Sequence, residues 1–202
     1  MTGTKAPPDP PLPVARDRSI DRFLDELEAP APSPCGGTAA AVAAAMAAAL
    51  VTMVARGSGR WTDGPGVASQ ARALRTRLTT LGDDDAAAFE HVLVTMRNRT
   101  GTVERRDYEL GAALVKAAEV PLQIAEAAAD VADLAALAAS EGSSHLRADA
   151  TAAAILAEAA VRAATHLVEI NLATVAGDHH SRQAEMLAAA AAAARERALG
   201  SV

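Results

Sequence analysis

Pro30-Ala31-Pro32-Ser33-Pro34-Cys35-Gly36-Gly37-Thr38 runs directly into Ala39–Ala55, a stretch dominated by alanine and free of charged residues. Prolines hold the approach extended, the paired glycines leave the backbone bare and free in φ, and Thr38 is placed to cap the N–H groups behind it. Alanine is the strongest helix former, so a helix is predicted from about Thr38 to Arg56. Such an entry is either a receptor for an anion or carbonyl of a ligand, or a plain helix start beside close neighbours. The same composition extends across the 202 residues: half are apolar and 2% aromatic, so the core is built from Ala, Leu, Val and Ile. Small side chains let helices approach closely but bury little area each, because a large buried side chain contributes roughly 1.5–3 kcal/mol and alanine far less. Subunit association would compensate.

Outward from that helix, no strand pattern is found. Towards the N-terminus, Ile20, Phe23, Leu24 and Leu27 follow the spacing of a short amphipathic helix that starts near Ser19 and stops before Pro30. Residues 1–17 are polar and proline-rich and are read as a disordered arm. Residues 18–202 form one helical domain. Beyond the alanine helix, Gly57–Gly66 breaks the pattern. Its G-x-G lacks the strand or lysine of a nucleotide loop, so it is read as a connector, with Trp61 as a lid or interface residue. A long helix follows, with Val67, Ala71, Leu74, Leu78, Leu81, Ala88, Val92 and Met96 in steps of three and four.

After a turn at Asn98–Thr102, a fourth helix runs from about Val103 to Ala139, with Pro121 inside its apolar stripe, where a kink is expected. A fifth helix opens near Asp149, and Ile155, Ala159, Ala163, His166 and Ile170 are taken as its inner side. A turn at Gly177–His180 and a cap at Ser181 lead into a last helix reaching Leu199. The fold class is all-α, an antiparallel helical bundle.

A net charge of -6 without a basic run argues against nucleic acid as a partner. Cys35 is the only cysteine, which leaves no disulfide framework or cysteine-cluster metal site and fits a reducing cytoplasm. The N-terminus has no apolar secretion core, and the alanine helix is a weak membrane span, so a soluble protein is expected.

Few polar residues stand where chemistry needs them. The seam of the third helix, continued past Leu81, reaches Asp85. An acid there is either paired for structure or a carboxyl whose raised pKa suits general acid–base work. Asp149 is either a helix cap or a second such acid. Arg105 and Arg106 oppose the dipole of the fourth helix, so they are either solvated or matched by a ligand carboxylate or Asp85. Glu158, Arg162 and Glu169 read as a solvated face, and Asn171 needs partners if buried. His91, His145, His166, His179 and His180 complete no metal set. Cys35 is either a small residue or a nucleophile at a helix N-terminus.

Several short elements together resemble one family, the formiminotetrahydrofolate cyclodeaminases and methenyltetrahydrofolate cyclohydrolases. Ser19-Ile20-Asp21-Arg22-Phe23-Leu24 looks like its opening helix, and Pro34-Cys35-Gly36-Gly37-Thr38 like its P-G-G-G-S loop, with Cys35 at the first glycine. Asp85-Ala86-Ala87-Ala88-Phe89 matches its D-x-x-A-F element, and Arg106 precedes Val120-Pro121-Leu122 at the family's interval. Gly142–Asp149 resembles its G-N…S-D segment, and Ile170-Asn171-Leu172 its I-N-L. The resemblance implies an all-helical homodimer without a metal, binding a tetrahydrofolate derivative near the subunit interface. It implies Asp85 and Asp149 as catalytic residues. Cys35, Gly36, Gly37, Thr38, Arg106 and Asn171 are implied as substrate contacts. A divergent enzyme acting on another amidine, imine or cyclic amine, and a non-catalytic helical dimer, remain alternatives.

Overall fold

The structure, a computed structural model, describes residues 19–30, 35–172 and 179–200. The proposed arm at 1–17 lies outside these residues, as do most of the proline approach and Gly177-Asp178. Among the described residues there is no strand, and the α-helices are α1 (Ile20–Glu28), α2 (Gly36–Gly57), α3 (Gly64–Arg97), α4 (Val103–Glu141), α5 (Arg147–Asn171) and α6 (His179–Gly200). One 3₁₀ turn, Ser144–Leu146, joins α4 to α5.

Helices α2, α4 and α5 form the centre, with α3 on one flank and α6 on the other. The core is lined with alanines: Ala41, Ala44, Ala47 and Ala48 on α2 face Ala125, Ala128 and Ala132 on α4 and Ala153, Ala154 and Ala157 on α5, all buried. Such residues let backbones approach closely, and larger groups such as Leu78, Ile124, Val51, Val131 and Val161 fill the wider gaps. Each alanine methyl removed from water contributes on the order of 0.8 kcal/mol, so stability is spread over many small contacts. Helix α4 runs unbroken through Pro121, which is itself buried.

Two parts leave this centre. The end of α3 and the start of α4 form an antiparallel arm with its own small cluster of Val92, Ala113 and Ala117. Helix α1 starts where its sequence predicts and is capped by Ser19, whose Oγ accepts from the Arg22 N–H. Yet α1 buries none of its residues, and Ile20 is 77% exposed.

Some expectations are corrected. The stripe Ile155, Ala159, Ala163, His166 and Ile170 on α5 faces outward, and Ala153, Ala157, Val161, Ala164 and Val168 face in. Close helix spacing selects the smaller residues for the inside, against the usual ranking by bulk. Glu158 is buried rather than solvated, with its carboxylate 3.6 Å from the exposed Arg162 guanidinium. His179 and His180 lie within α6 rather than in a turn, and Ser181 falls in its first turn.

Candidate functional site

Helix α2 begins at Gly36, two residues before the expected cap, and Cys35 takes the N-cap position. Thr38 therefore lies in the first turn, where its buried hydroxyl donates to the Gly82 carbonyl at 2.9 Å and ties α2 to α3. Gly82 lies at this contact, where a Cβ would meet the Ala41 Cβ at 3.5 Å, an ordinary van der Waals distance. One helical turn further along α3, Asp85 reaches the start of α2. Its carboxylate fills the space a side chain on Gly37 would need, so only glycine fits at 37.

Asp85 is 6% exposed. The Cys35 thiol donates to its Oδ2 at 3.2 Å, and hydrogen bonding from Thr38 also reaches the carboxylate. Burial raises the pKa of Asp85 above the ordinary carboxylate range, and the bonds from Cys35 and Thr38 partly oppose that rise. Cys35 is pushed up to about 11, first by burial, then by the charge of Asp85 and the hydrogen bond to it, with the Gly37 and Thr38 backbone pulling the other way. At neutral pH the thiol keeps its proton and is a donor, not a nucleophile. The result is an acid in a dry, polar-lined corner, able to hold or pass a proton.

The predicted residues divide between places. Asp85, Cys35, Gly37 and Thr38 meet here. Gly36 sits beside Leu167 near the end of α5, where the Asn171 Nδ2 donates to the Ala117 carbonyl at 3.2 Å. Arg106 lies out on the arm, eleven residues up α4 from Ala117 or about 16 Å at the helical rise, so it does not pair with Asp85. Arg105 beside it pairs with Glu109 at 2.8 Å. Asp149 belongs to the opposite end: α5 carries it about 27 Å from Leu167.

That opposite end holds a group the sequence reading passed over. The buried Ser58 donates to the Val54 carbonyl at 2.7 Å and accepts from the Ser143 N–H at 2.8 Å, joining the α2–α3 connection to the α4–α5 connection. A cavity of about 490 Å³ lies between them, with Arg60, Trp61, Glu141, His145 and Arg147 in its wall. The signal available was Arg60 beside Trp61 in a glycine-rich segment read as a connector, with Trp61 as a lid or interface residue. Among the described residues, no three His, Cys, Asp or Glu side chains converge as metal ligands would.

The fold and this corner define an all-helical protein with a buried carboxyl of raised pKa set against a glycine-built helix start. A family described as formiminotransferase-cyclodeaminase matches residues 19–193. The chain belongs to that family. It is 32% identical over 168 residues to a methenyltetrahydrofolate cyclohydrolase of Methylorubrum extorquens, covering 78% of this chain and 81% of that one. A crystal structure of formiminotetrahydrofolate cyclodeaminase from Thermotoga maritima superimposes with a TM-score of 0.82 at 26% identity, covering 92% of this chain and 96% of that one.

Proposed function

We propose that the protein is a folate one-carbon enzyme, converting formiminotetrahydrofolate to methenyltetrahydrofolate with loss of ammonia, or opening methenyltetrahydrofolate with water to formyltetrahydrofolate. The observation that carries this is Asp85: a carboxyl raised in pKa by burial, placed by Gly37 and Thr38, in a chain of this family. In the deaminase direction, N10 attacks the formimino carbon and gives up its proton, the carbon becomes tetrahedral, and its bond to the exocyclic nitrogen breaks as that nitrogen takes up a proton and leaves as ammonia. In the hydrolase direction, water adds to the methenyl carbon and loses a proton, and the remaining hydroxyl proton passes to the leaving nitrogen as one carbon–nitrogen bond of the ring opens. Both need a proton moved at a tetrahedral carbon between nitrogens. Asp85 is assigned that transfer; once ionised, it also stabilises the cationic bridge.

We assign the active unit as a homodimer. Support comes from α1, whose apolar side finds no burial within the protomer, and from exposed Met46, Met53, Ile155 and Ile170. Asp149 and Asp85 lie too far apart in one copy to act on one carbon, so their joint use requires a second copy. Helix α2 and the Ser144–Asn171 segment are long and apolar enough to cross a membrane, but about half of each apolar window is buried inside the bundle. That burial, with the single unpaired thiol, favours a cytoplasmic protein.

The test follows methenyltetrahydrofolate by absorbance with the purified chain, supplying formiminotetrahydrofolate in one arm and methenyltetrahydrofolate in the other. Turnover in either arm is expected; none in both would overturn the assignment.

A further inference from the structure

Helix α4 passes unbroken through Pro121, although a proline inside a helix removes one hydrogen bond and crowds its acceptor. That acceptor is the carbonyl of Ala117, four residues earlier, which finds no N–H at residue 121. Ala117 is buried with Val92 and Ala113, so a carbonyl left unpaired there would cost free energy. The donor comes from another helix. Asn171, the last residue of α5, donates from its Nδ2 to that carbonyl at 3.2 Å, from 54 residues along the chain. Apolar contact holds the same place: Leu172 packs in one cluster with Ala118 and Leu122, which stand on either side of Pro121. Leu167, one turn before Asn171, has its methyl carbons 3.9 Å from where a Cβ of Gly36 would stand. Gly36 is flanked by Cys35 and Gly37, both set against Asp85.

We propose that Asn171 is a positioning residue rather than a substrate contact: its amide stands in for the N–H that Pro121 lacks, and so holds the last turn of α5, with Leu167, against the start of α2. Val120-Pro121-Leu122 and Ile170-Asn171-Leu172 are then two halves of one interaction, a proline that frees a carbonyl and an amide that takes it up. An asparagine kept only for a ligand would be indifferent to residue 121. One that replaces a missing N–H becomes redundant once that N–H is restored. Its influence on the reaction, which rests on the folate reading above, passes through Leu167 and Gly36 to the corner that holds Asp85.

The test is a double-mutant cycle in the full chain, read by urea unfolding of Asn171→Ala, Pro121→Ala and the double variant. Asn171→Ala is expected to lower the unfolding midpoint, and in the Pro121→Ala background the same change should lower it about half as much or less. Asn171→Asp keeps the size but an ionised carboxylate cannot donate, so it should lose at least as much as Asn171→Ala. Equal losses in both backgrounds, or wild-type stability in Asn171→Asp, would overturn the proposal. Pro121 is fully enclosed, so where Pro121→Ala fails to fold, exchange of the wild-type Asn171 side-chain amide decides instead. Slow exchange of one of its protons is expected, and fast exchange of both would overturn the assignment. In active enzyme, a rise in KM caused by Asn171→Ala should shrink in the Pro121→Ala background; an equal rise in both would make Asn171 a substrate contact. Absence of turnover in every variant would remove the folate reading, and the unfolding cycle would still decide this one.

Discussion

The two ends of the bundle solve opposite problems with polar groups. At the α2 start, every polar atom around Asp85 faces another: thiol to carboxylate, threonine to carboxylate and to the Gly82 carbonyl, with glycine removing whatever would intervene. At the other end, Arg60 and Arg147 line an open cavity, and among the described residues neither makes an ion pair. One cluster closes upon itself; the other lines open volume. The two ends differ in how far their polar groups are satisfied by the protein, and each half can be broken on its own.

The largest effect is expected at the closed end. Asp85→Asn keeps the volume and most of the hydrogen bonding but cannot exchange a proton, so turnover should fall about 10²- to 10⁴-fold with helix content unchanged. Rates near wild type would reduce Asp85 to a structural tie between α2 and α3. Next in size is Gly37→Ala, which drives a methyl into the carboxylate's place. A loss of about 1–3 kcal/mol in denaturant unfolding is expected, and a neutral result would show that the corner is looser than described.

The smallest effects are titrations that resolve the closed end itself. With its pKa at about 11, Cys35 should alkylate slowly at pH 8 and speed up only as the pH approaches that value. Asp85→Asn removes the charge that raises it, so alkylation at fixed pH should become faster. Because the folded-state pKa of Asp85 lies above its unfolded value, the folded state binds that proton more tightly. The stability linked to it is therefore lost as pH rises from the ordinary carboxylate range through the raised pKa, and a melting series should show that decline in the wild type and a flatter course in Asp85→Asn. Identical curves would place the Asp85 titration at its ordinary value.

Which parts were legible in the sequence follows from residue size. The α3 seam of Leu78 and Leu81 stood out against polar neighbours, and extending it by one step put Asp85 inside, where it is found. On α5 the same method chose the wrong side, because alanine appears on every face and the bulkier Ile155 and Ile170 point outward. A hydrophobic period carries information only where inside and outside differ in residue type, and in α5 they differ mainly in size. The cap stands three residues earlier than expected, at Cys35, because Thr38 looks like a capping residue yet its hydroxyl serves Gly82. The Arg60 and Arg147 cavity was half legible at most: Arg60 beside Trp61 marks one side, but the other side lies more than eighty residues away and is joined to it through Ser58 and Ser143.

The chain has one sulfhydryl, and it lies against the carboxyl most important to the proposed chemistry. The S–H stretch absorbs in a spectral window that other protein groups leave empty, so the unmodified protein carries its own infrared reporter. Its frequency will move as Asp85 gains or loses charge and as a ligand arrives, making the state of the acid observable during turnover without a label.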